Sequence, residues 1–333
     1  MRIKKEVRKI VASVLAFLMV VSLIPVNSLM TKANAASKTT FEGGKTVEDG
    51  TWKGWTWNVF GSSTDVTKAS ATDTGNGGVT LEVTGDKGKI NGSASDQGLN
   101  TFLYELDKSY DFTITAQAKI DTLATNEQAA FGLTIRDNVG THGNTTKLTA
   151  DKNNFTFVGG YGNKDNNADE TTNHGNAGYK TTKLKHTRLG KSPAVGGTYD
   201  LAIQKIGDSV KLYFDGEVAA ECSAADLITD DTMYVGLFAA RNAKITFNNV
   251  KLAYTQDSSS VKVTNVTAPK KTTYCAGNTY EDVDLTGFKA TVSVDGKERE
   301  ITAADCVVDM SSKPFSEVTE AGKLNLLYLG QVI

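Results

Sequence analysis

The chain has 333 residues, with 36 Lys and Arg against 38 Asp and Glu, three His and three Cys. This length suggests two domains, and a net charge of −2 argues against non-specific nucleic-acid binding, which needs net or clustered positive charge. Three cysteines are too few for a disulfide scaffold, and no Cys/His spacing is typical of a zinc site.

The first 35 residues have the pattern of a secretory signal peptide. Five basic residues precede an apolar run over 11–26, and Ala33, Asn34 and Ala35 then form a small-residue cleavage site. The alternative is a lone membrane anchor, but the run is short for a span of about 20 residues. We therefore expect a secreted bacterial protein that starts near Ala36 and makes no membrane contact after cleavage. The first 35 residues carry +5, so the remaining chain carries −7.

Short alternating patterns predict an all-β sandwich over residues 36–254. With 31 Gly, only 4 Pro and no long amphipathic helical pattern, the composition is typical of short strands joined by turns. Residues at 79–83 and 110–120 alternate with a period of two, as in half-buried strands. Further strands are predicted at 130–135, 155–158, 199–206, 210–214, 233–239 and 244–252. Strands with one apolar face each imply two sheets packed face to face.

A second, smaller β pattern follows a short polar linker at 255–260. Residues 288–294 and 298–301 form a predicted hairpin around Asp295 and Gly296. The sequence over 326–333 reads as part of a strand, and we expect the natural product to continue beyond it. Cys275 and Cys306 share this segment, and the sequence leaves open whether they pair.

Particular stretches resemble known families. The runs at 199–221 (YDLAIQKIGDSVKLYFDGEVAAE) and 234–252 (YVGLFAARNAKITFNNVKL) resemble concanavalin A-like lectin/glucanase sandwiches, which implies a jelly-roll fold. The runs at 57–64 (WNVFGSST), 88–90 and 131–137 (FGLTIRD) are similar to the non-catalytic sandwich that precedes the β-helix of secreted bacterial pectate lyases. Residues 261–333 resemble a partial bacterial immunoglobulin-like domain, through the runs at 268–274 (APKKTTY) and 287–302 (GFKATVSVDGKEREIT). No β-helix repeat follows, so the catalytic residues of such a lyase have no counterpart here.

Candidate ligand-binding residues fall on aromatic and arginine positions near strand ends. Trp55 and Trp57 would share one face of a strand and offer a platform for sugar rings; the alternative is that they fill the core. Arg136, and Arg241 with Asn242, end strands at a sandwich rim and are candidate ligand residues, of which Arg241 would bind a carboxylate; the alternative is an internal Arg–Asp pair, such as Arg136 with a local acid. Tyr161 completes this aromatic and polar set.

A basic segment contrasts with the acidic remainder of the chain. Residues 171–199 contain no acid but five cations, among which Lys183 and Lys185 would point to the same side of a strand. This stripe would attract an anionic polysaccharide such as polygalacturonate. The alternative is a solvated strand face or a sheet edge protected by lysines.

One loop has the oxygen ligands of a calcium site. Asp165, Asn167 and Asp169 have the D-x-N-x-D spacing, without the Gly and the late Glu of calcium loops. An ordinary polar loop is the simpler interpretation, which leaves Ca²⁺ as the one cofactor to be tested.

The sequence therefore predicts a secreted, non-catalytic carbohydrate-binding region of a modular polysaccharide-degrading enzyme, most simply a pectate lyase. Its partner would be anionic plant cell-wall pectin. Two rivals stay open. One is a sandwich that itself cleaves a glycan through opposed carboxylates, although no catalytic motif is present. The other is a cell-surface adhesin or spacer without catalysis.

Overall fold

The computed structural model of the chain describes residues 38–61, 65–90, 98–125, 128–146, 148, 153–161, 174–181, 184–317 and 323–333. The predicted signal peptide lies outside these residues. Residues 38–333 form one unit by their internal contacts. Within the described ranges, no helix combines the length and the apolar character needed to cross a bilayer.

The first sheet has eight antiparallel strands in the order β1-β3-β4-β15-β6-β11-β12-β13. Their bounds are β1 Thr39–Thr40, β3 Ala69–Gly75, β4 Gly78–Val83, β6 Asp111–Leu123, β11 Thr198–Ile206, β12 Ser209–Phe214, β13 Glu217–Ser223 and β15 Ala243–Thr255. The sheet joins strands that are far apart in the sequence, since β15 pairs with both β4 and β6.

The second sheet has seven antiparallel strands in the order β10-β9-β8-β7-β14-β5-β2. Their bounds are β2 Trp55–Gly61, β5 Gly98–Asp107, β7 Ala130–Arg136, β8 Phe155–Tyr161, β9 His174–Lys180, β10 Leu184–Arg188 and β14 Thr232–Ala240. The two sheets pack face to face around one large apolar core, which confirms the predicted all-β sandwich.

Few helical turns interrupt the strands. The described residues contain one α-helix, α1 at Ala224–Leu227, and short 3-10 turns at Gly50–Trp52, Val66–Lys68, Ser258–Ser260, Tyr280–Asp282 and Ala303–Asp305. The predicted tight hairpins are present. Asp215 and Gly216 have φ of 46° and 78°, and Asp295 and Gly296 have φ of 51° and 74°. Two successive positive φ values match the right-handed twist of the flanking strands, which explains the Asp-Gly sequence in both turns.

The C-terminal residues form two small sheets. Strands β16 Lys262–Thr267, β17 Lys289–Val294 and β18 Lys297–Thr302 form one sheet, and β19 Val307–Asp309, β20 Asn325–Tyr328 and β21 Gln331–Val332 form the other. Their apolar cluster includes Val292, Val294 and Tyr328, and Ala253 of β15 also belongs to it. The immunoglobulin-like identity of this module stays a prediction. Cys222, Cys275 and Cys306 are free thiols.

The predicted linker at 255–260 is fixed by contacts on both sides. The Thr255 hydroxyl donates to Asp295 Oδ1 at 2.6 Å, and the backbone N–H of Ser258 donates to Asp111 Oδ2 at 3.3 Å. Ser258 is buried, and Val261 packs into the C-terminal core. These residues therefore form a short, docked connection between the sandwich and the C-terminal module.

Both predicted platform tryptophans lie in the core between the sheets. Trp55 is 6% exposed and stacks on Phe102, with the ring centroids 5.3 Å apart. Trp57 is 8% exposed, and its indole N–H donates to Asn100 Oδ1 at 2.7 Å. Alternation along β2 points both side chains inward, where large aromatic rings bury the most area. The platform expectation was wrong, and the core-filling alternative describes these residues.

Trp57 should contribute more to stability than Trp55. Of the two indole groups, only that of Trp57 makes a hydrogen bond to a described residue. The Trp57→Phe substitution would remove ring volume and leave the Asn100 oxygen without its donor. We expect it to lower the free energy of unfolding by about 3 kcal/mol. Urea denaturation would measure this loss. The matched Trp55→Phe variant should lose about 1 kcal/mol less, and an equal loss in both variants would contradict the role of this hydrogen bond.

Candidate functional site

The outer face of the seven-stranded sheet carries a second aromatic cluster. On β8, Val158 points into the main core, whereas Phe155, Phe157 and Tyr161 point outward. Together with Phe60 from β2 and Phe238 from β14, they form a cluster that we call the outer aromatic face. All five rings are at most 5% exposed. Ile90, Val139 and Leu148, from segments outside the sheet, pack onto this face.

Arg136 ends β7 inside this cluster and is completely buried. Its guanidinium carbon lies 5.3 Å from the ring centroids of both Phe60 and Phe155. Its Nε donates to the Asn138 carbonyl at 3.1 Å, and its Nη2 donates to Asn153 Oδ1. Burial lowers the pKa of Arg136 to about 10, so the side chain stays charged at neutral pH. Arg136 is therefore not the exposed rim ligand that the sequence predicted, because the whole side chain is buried.

Lys180 is a second buried cation, which sequence reasoning placed only in a general basic stripe. It is 1% exposed, and its Nζ donates to the Asn153 carbonyl at 3.0 Å. Burial lowers its pKa. Asn153 thus accepts from both cations, through its side chain and its backbone. The signal that places Lys180 here is strand register, since β9 pairs Lys180 opposite Phe155.

Asp137 supplies the negative charge beside these two cations. Its Oδ1 accepts from the Asn154 backbone N–H at 2.9 Å, and its Oδ2 accepts from the Thr229 hydroxyl at 3.2 Å. The side chain is fully buried, and burial raises its pKa although the Arg136 charge opposes this shift. Arg136, Asp137, Asn153 and Lys180 thus form a buried polar set beside the outer aromatic face.

The accessible part of this region is β10, the edge strand of the seven-stranded sheet. His186 and Arg188 are half-buried on the outer side, and the His186 ring meets the Tyr161 ring edge to face at 5.7 Å. Tyr161 is buried behind them and donates its hydroxyl to the Ile90 carbonyl at 3.4 Å. Lys185 is exposed on the other side of β10, with its Nζ 5.6 Å from the Tyr179 ring. Lys183 lies outside the described residues.

The predicted rim residues Arg241 and Asn242 form a strained turn between β14 and β15, with φ of 56° and 40°. The Asn242 side-chain oxygen accepts from the Gly85 N–H at 2.6 Å, and its backbone N–H donates to the Gly85 carbonyl at 2.7 Å. Arg241 Nε donates to the Gly88 carbonyl at 3.2 Å. Asn242 therefore stabilises this turn through its amide oxygen, and the ligand role of Arg241 and Asn242 stays a prediction. Arg241 and Tyr161 both hold the segment at 88–90.

The predicted calcium ligands Asp165, Asn167 and Asp169 lie outside the described residues. Within the part of the chain that the structure describes, no group of three or more His, Cys, Asp and Glu side chains is placed to hold a metal ion.

Comparisons with known proteins agree with this architecture. Residues 58–257 match the family model of the pectate disaccharide-lyase N-terminal domain. Pectate lyase L from Thermoclostridium stercorarium is 30% identical over 258 residues. That match covers 76% of this chain, but the chain spans only 19% of the length of the lyase.

Two solved structures show a more distant likeness. A carbohydrate binding module from Bacillus subtilis has 15% identity and a TM-score of 0.35, covering 64% of this chain and 98% of its own. Lectin II from Ulex europaeus has 9% identity and a TM-score of 0.37, covering 65% of this chain and 97% of its own.

The fork geometry of Arg136 should matter more than its charge. A lysine at this position keeps the charge but cannot reach both the Asn138 carbonyl and the Asn153 oxygen. We expect Arg136→Lys to lower the free energy of unfolding by about 2 kcal/mol, measured by urea denaturation. The exposed Arg299→Lys variant is the matched control and should change stability by less than about 0.5 kcal/mol. Equal effects of the two substitutions would show that the buried fork is unimportant.

The buried Asp137 should make stability depend on pH in a direction opposite to that of an exposed, hydrogen-bonded acid. Its raised pKa means that the folded state binds a proton more readily than the unfolded state, so its stabilising contribution is lost as pH rises through that pKa. Relative to Asp137→Asn, the unsubstituted protein should therefore gain stability as pH falls from 7 toward 4. Urea midpoints across this range measure the difference.

Asp107 provides the internal comparison, because hydrogen bonds from Ser109 lower its pKa. The stabilising contribution of Asp107 is therefore present above the ordinary carboxyl pKa and lost as pH falls. The difference between the unsubstituted protein and Asp107→Asn should have the opposite slope. Two parallel slopes would rule out burial as the dominant influence on Asp137.

Proposed function

Because the chain belongs to the pectate disaccharide-lyase N-terminal domain family, we propose that it is exported from a bacterial cell and binds pectate on behalf of a catalytic region of the same enzyme. It is the non-catalytic, carbohydrate-binding part of such an enzyme. Pectate is a polymer of galacturonate, and each sugar ring carries a carboxylate. A surface that binds it must therefore present cations without neighbouring acids.

One observation supports this ligand class above others. The described residues of the β9–β10 region, 174–181 and 184–199, include four cations and no acid. They belong to a chain that carries −7 beyond its first 35 residues. An acid-free strand at the end of a sheet in an acidic protein gives a local positive potential that steers an anionic chain toward it.

The side chains along β10 fit a linear anionic polymer. Lys185, His186 and Arg188 lie within four residues, about 10 Å along a strand. Since β10 ends the seven-stranded sheet, a chain that runs along this edge meets side chains from both of its faces. Lys185 can contribute an exposed point charge, and Arg188, which is half-buried with its Nη2 inside the protein, adds positive charge beside it. Lys191 contributes less, because its Nζ is already bound to Asp215 and Glu281.

Binding of this kind would act through proximity. A surface site that holds the polymer raises its effective concentration at a tethered catalytic region without adding any chemistry. Individually weak, exposed ion pairs are sufficient for this role, since many repeating carboxylates engage the same surface.

Removing the β10 cations should weaken pectate binding. We expect the double variant Lys185→Gln, Arg188→Gln to raise the apparent Kd for polygalacturonate several-fold at low salt, from a loss of about 1–2 kcal/mol. Affinity gel electrophoresis with polygalacturonate in the gel would measure this change. Added salt should weaken binding of the unsubstituted protein and reduce the difference between the two proteins.

Lys251→Gln is the matched control, because Lys251 is an exposed lysine on the eight-stranded sheet. It should leave binding unchanged. Fully methyl-esterified pectin, which lacks the free carboxylates, should bind weakly to all variants. Equal retardation by both pectins, or an affinity that does not change with salt, would contradict an electrostatic pectate site. Release of unsaturated sugars by the purified chain would contradict the non-catalytic assignment.

A further inference from the structure

A ligand-sized cavity of about 370 Å³ lies between the outer face of the eight-stranded sheet and the C-terminal module. This volume is within the range of roughly 300–1,000 Å³ that small-molecule sites occupy. One wall comes from β6, β11, β12 and the bulge in β15, and the other comes from the segments at 280–286 and 303–308. None of the predicted candidate residues lines this cavity.

Direct contacts between the two modules hold the walls apart at a fixed spacing. The Thr115 hydroxyl donates to the Ala304 carbonyl at 2.6 Å, and the Tyr280 hydroxyl donates to Asp200 Oδ2 at 2.8 Å. Burial, with Asp200 alongside, raises the pKa of Tyr280, so its phenol keeps the proton that it donates. Outside the cavity, Lys191 bridges Asp215 of the sandwich and Glu281 of the C-terminal module. The cavity is therefore preformed, which reduces the entropy lost on binding.

The polar groups of the cavity favour a hydroxylated ligand. Asn249 Nδ2 donates to Gln117 Oε1 at 2.8 Å. This leaves the Gln117 amide N–H groups and the Asn249 amide oxygen without a partner among the described residues. Asp200 Oδ1 likewise accepts no hydrogen bond from a described residue, since only Oδ2 is bound by Tyr280. Donors and acceptors thus remain in a cavity whose other wall includes apolar Leu285.

Tyr213 adds an apolar surface to the cavity. Its ring is 2% exposed and packs with Ala202 of the sandwich and with Val307 and Leu327 of the C-terminal module.

We infer that this cavity between the modules binds a neutral sugar residue, a ligand different in charge from the pectate proposed for β10. The described lining has one carboxylate, Asp200, and no Lys or Arg to balance it. A uronate would bring a second negative charge close to Asp200, whereas a neutral sugar would donate hydroxyl groups to the same oxygen. The chain would then hold two glycan sites, one for an anionic polymer and one for a neutral sugar.

Two sugars that differ only in charge provide the test. D-Galactose and D-galacturonate share their ring stereochemistry, but C6 is a hydroxymethyl group in the first and a carboxylate in the second. Each sugar is titrated into the purified, ¹⁵N-labelled chain, and the NMR resonance of the Ala304 backbone amide is followed. Galactose should shift this resonance at millimolar concentrations, and so should the neutral pentose D-xylose. Galacturonate should shift this amide at least several-fold less at equal concentration.

Variants locate the binding site. Gln117→Met and Asn249→Gly should each raise the Kd for galactose about fivefold, since each loses one neutral hydrogen bond. Glycine is chosen because Asn249 has a φ of 50°, which glycine adopts without strain. The matched control is Gln256→Met, at an exposed position outside the cavity, and its Kd should equal that of the unsubstituted chain. Unchanged melting temperatures would show that the variants are folded.

Three results would overturn the inference: no shift of Ala304 by either neutral sugar at tens of millimolar, equal affinity for galactose and galacturonate at this amide, or wild-type affinity in both cavity variants. Polygalacturonate binding at β10 is a separate measurement on a different surface. The inference about the cavity and the proposed pectate function can therefore fail independently of each other.

Discussion

The seven-stranded sheet buries side chains on both of its faces, and the remaining features of the sandwich depend on this constraint. One face packs against the eight-stranded sheet in the main core, and the other carries the outer aromatic face under Ile90, Val139 and Leu148. A strand buried on both sides has no polar face to offer a ligand. This explains why all seven residues of β8 (FTFVGGY) are buried, and why Arg136 reaches no solvent. The polar side chains that a ligand could reach therefore lie at the sheet edge and at the contact with the C-terminal module.

The fold was largely predictable from the sequence, because alternation with a period of two survives wherever a strand has one polar face. Asp111–Leu123 and Thr198–Ile206 are examples, and both were predicted to within three residues at each end. The strands that were missed lack this signal. His174–Lys180 is rich in glycine and polar residues, and Glu217–Ser223 is partly exposed along most of its length. Trp55 and Trp57 were predicted to form a sugar platform because the burial of both faces of β2 cannot be inferred from the sequence of a single strand.

The site was less predictable, because it depends on register and on packing between distant segments. The sequence indicated a basic stripe over 171–199, but only pairing separates the buried Lys180 from the exposed Lys185. The cavity between the modules joins Gln117 to residues more than 160 positions later in the chain, and no local motif marks it. The docked linker is another case. A polar sequence at 255–260 indicates a connection, but its hydrogen bonds to Asp111 and Asp295 are contributed by residues far away in the chain.

Lys180 also affects the register in which β9 pairs with its neighbouring strands. Its neighbours along β9 alternate between the two faces, so a slip of one residue would move the ammonium group from Asn153 into the space between the sheets. Apolar side chains pack in that space. An unpaired charge in that layer would cost several kcal/mol. A glycine-containing strand such as β9 has little apolar alternation to fix its pairing register. Lys180 helps to fix that register, because a shift of one residue would bury its charge without a partner.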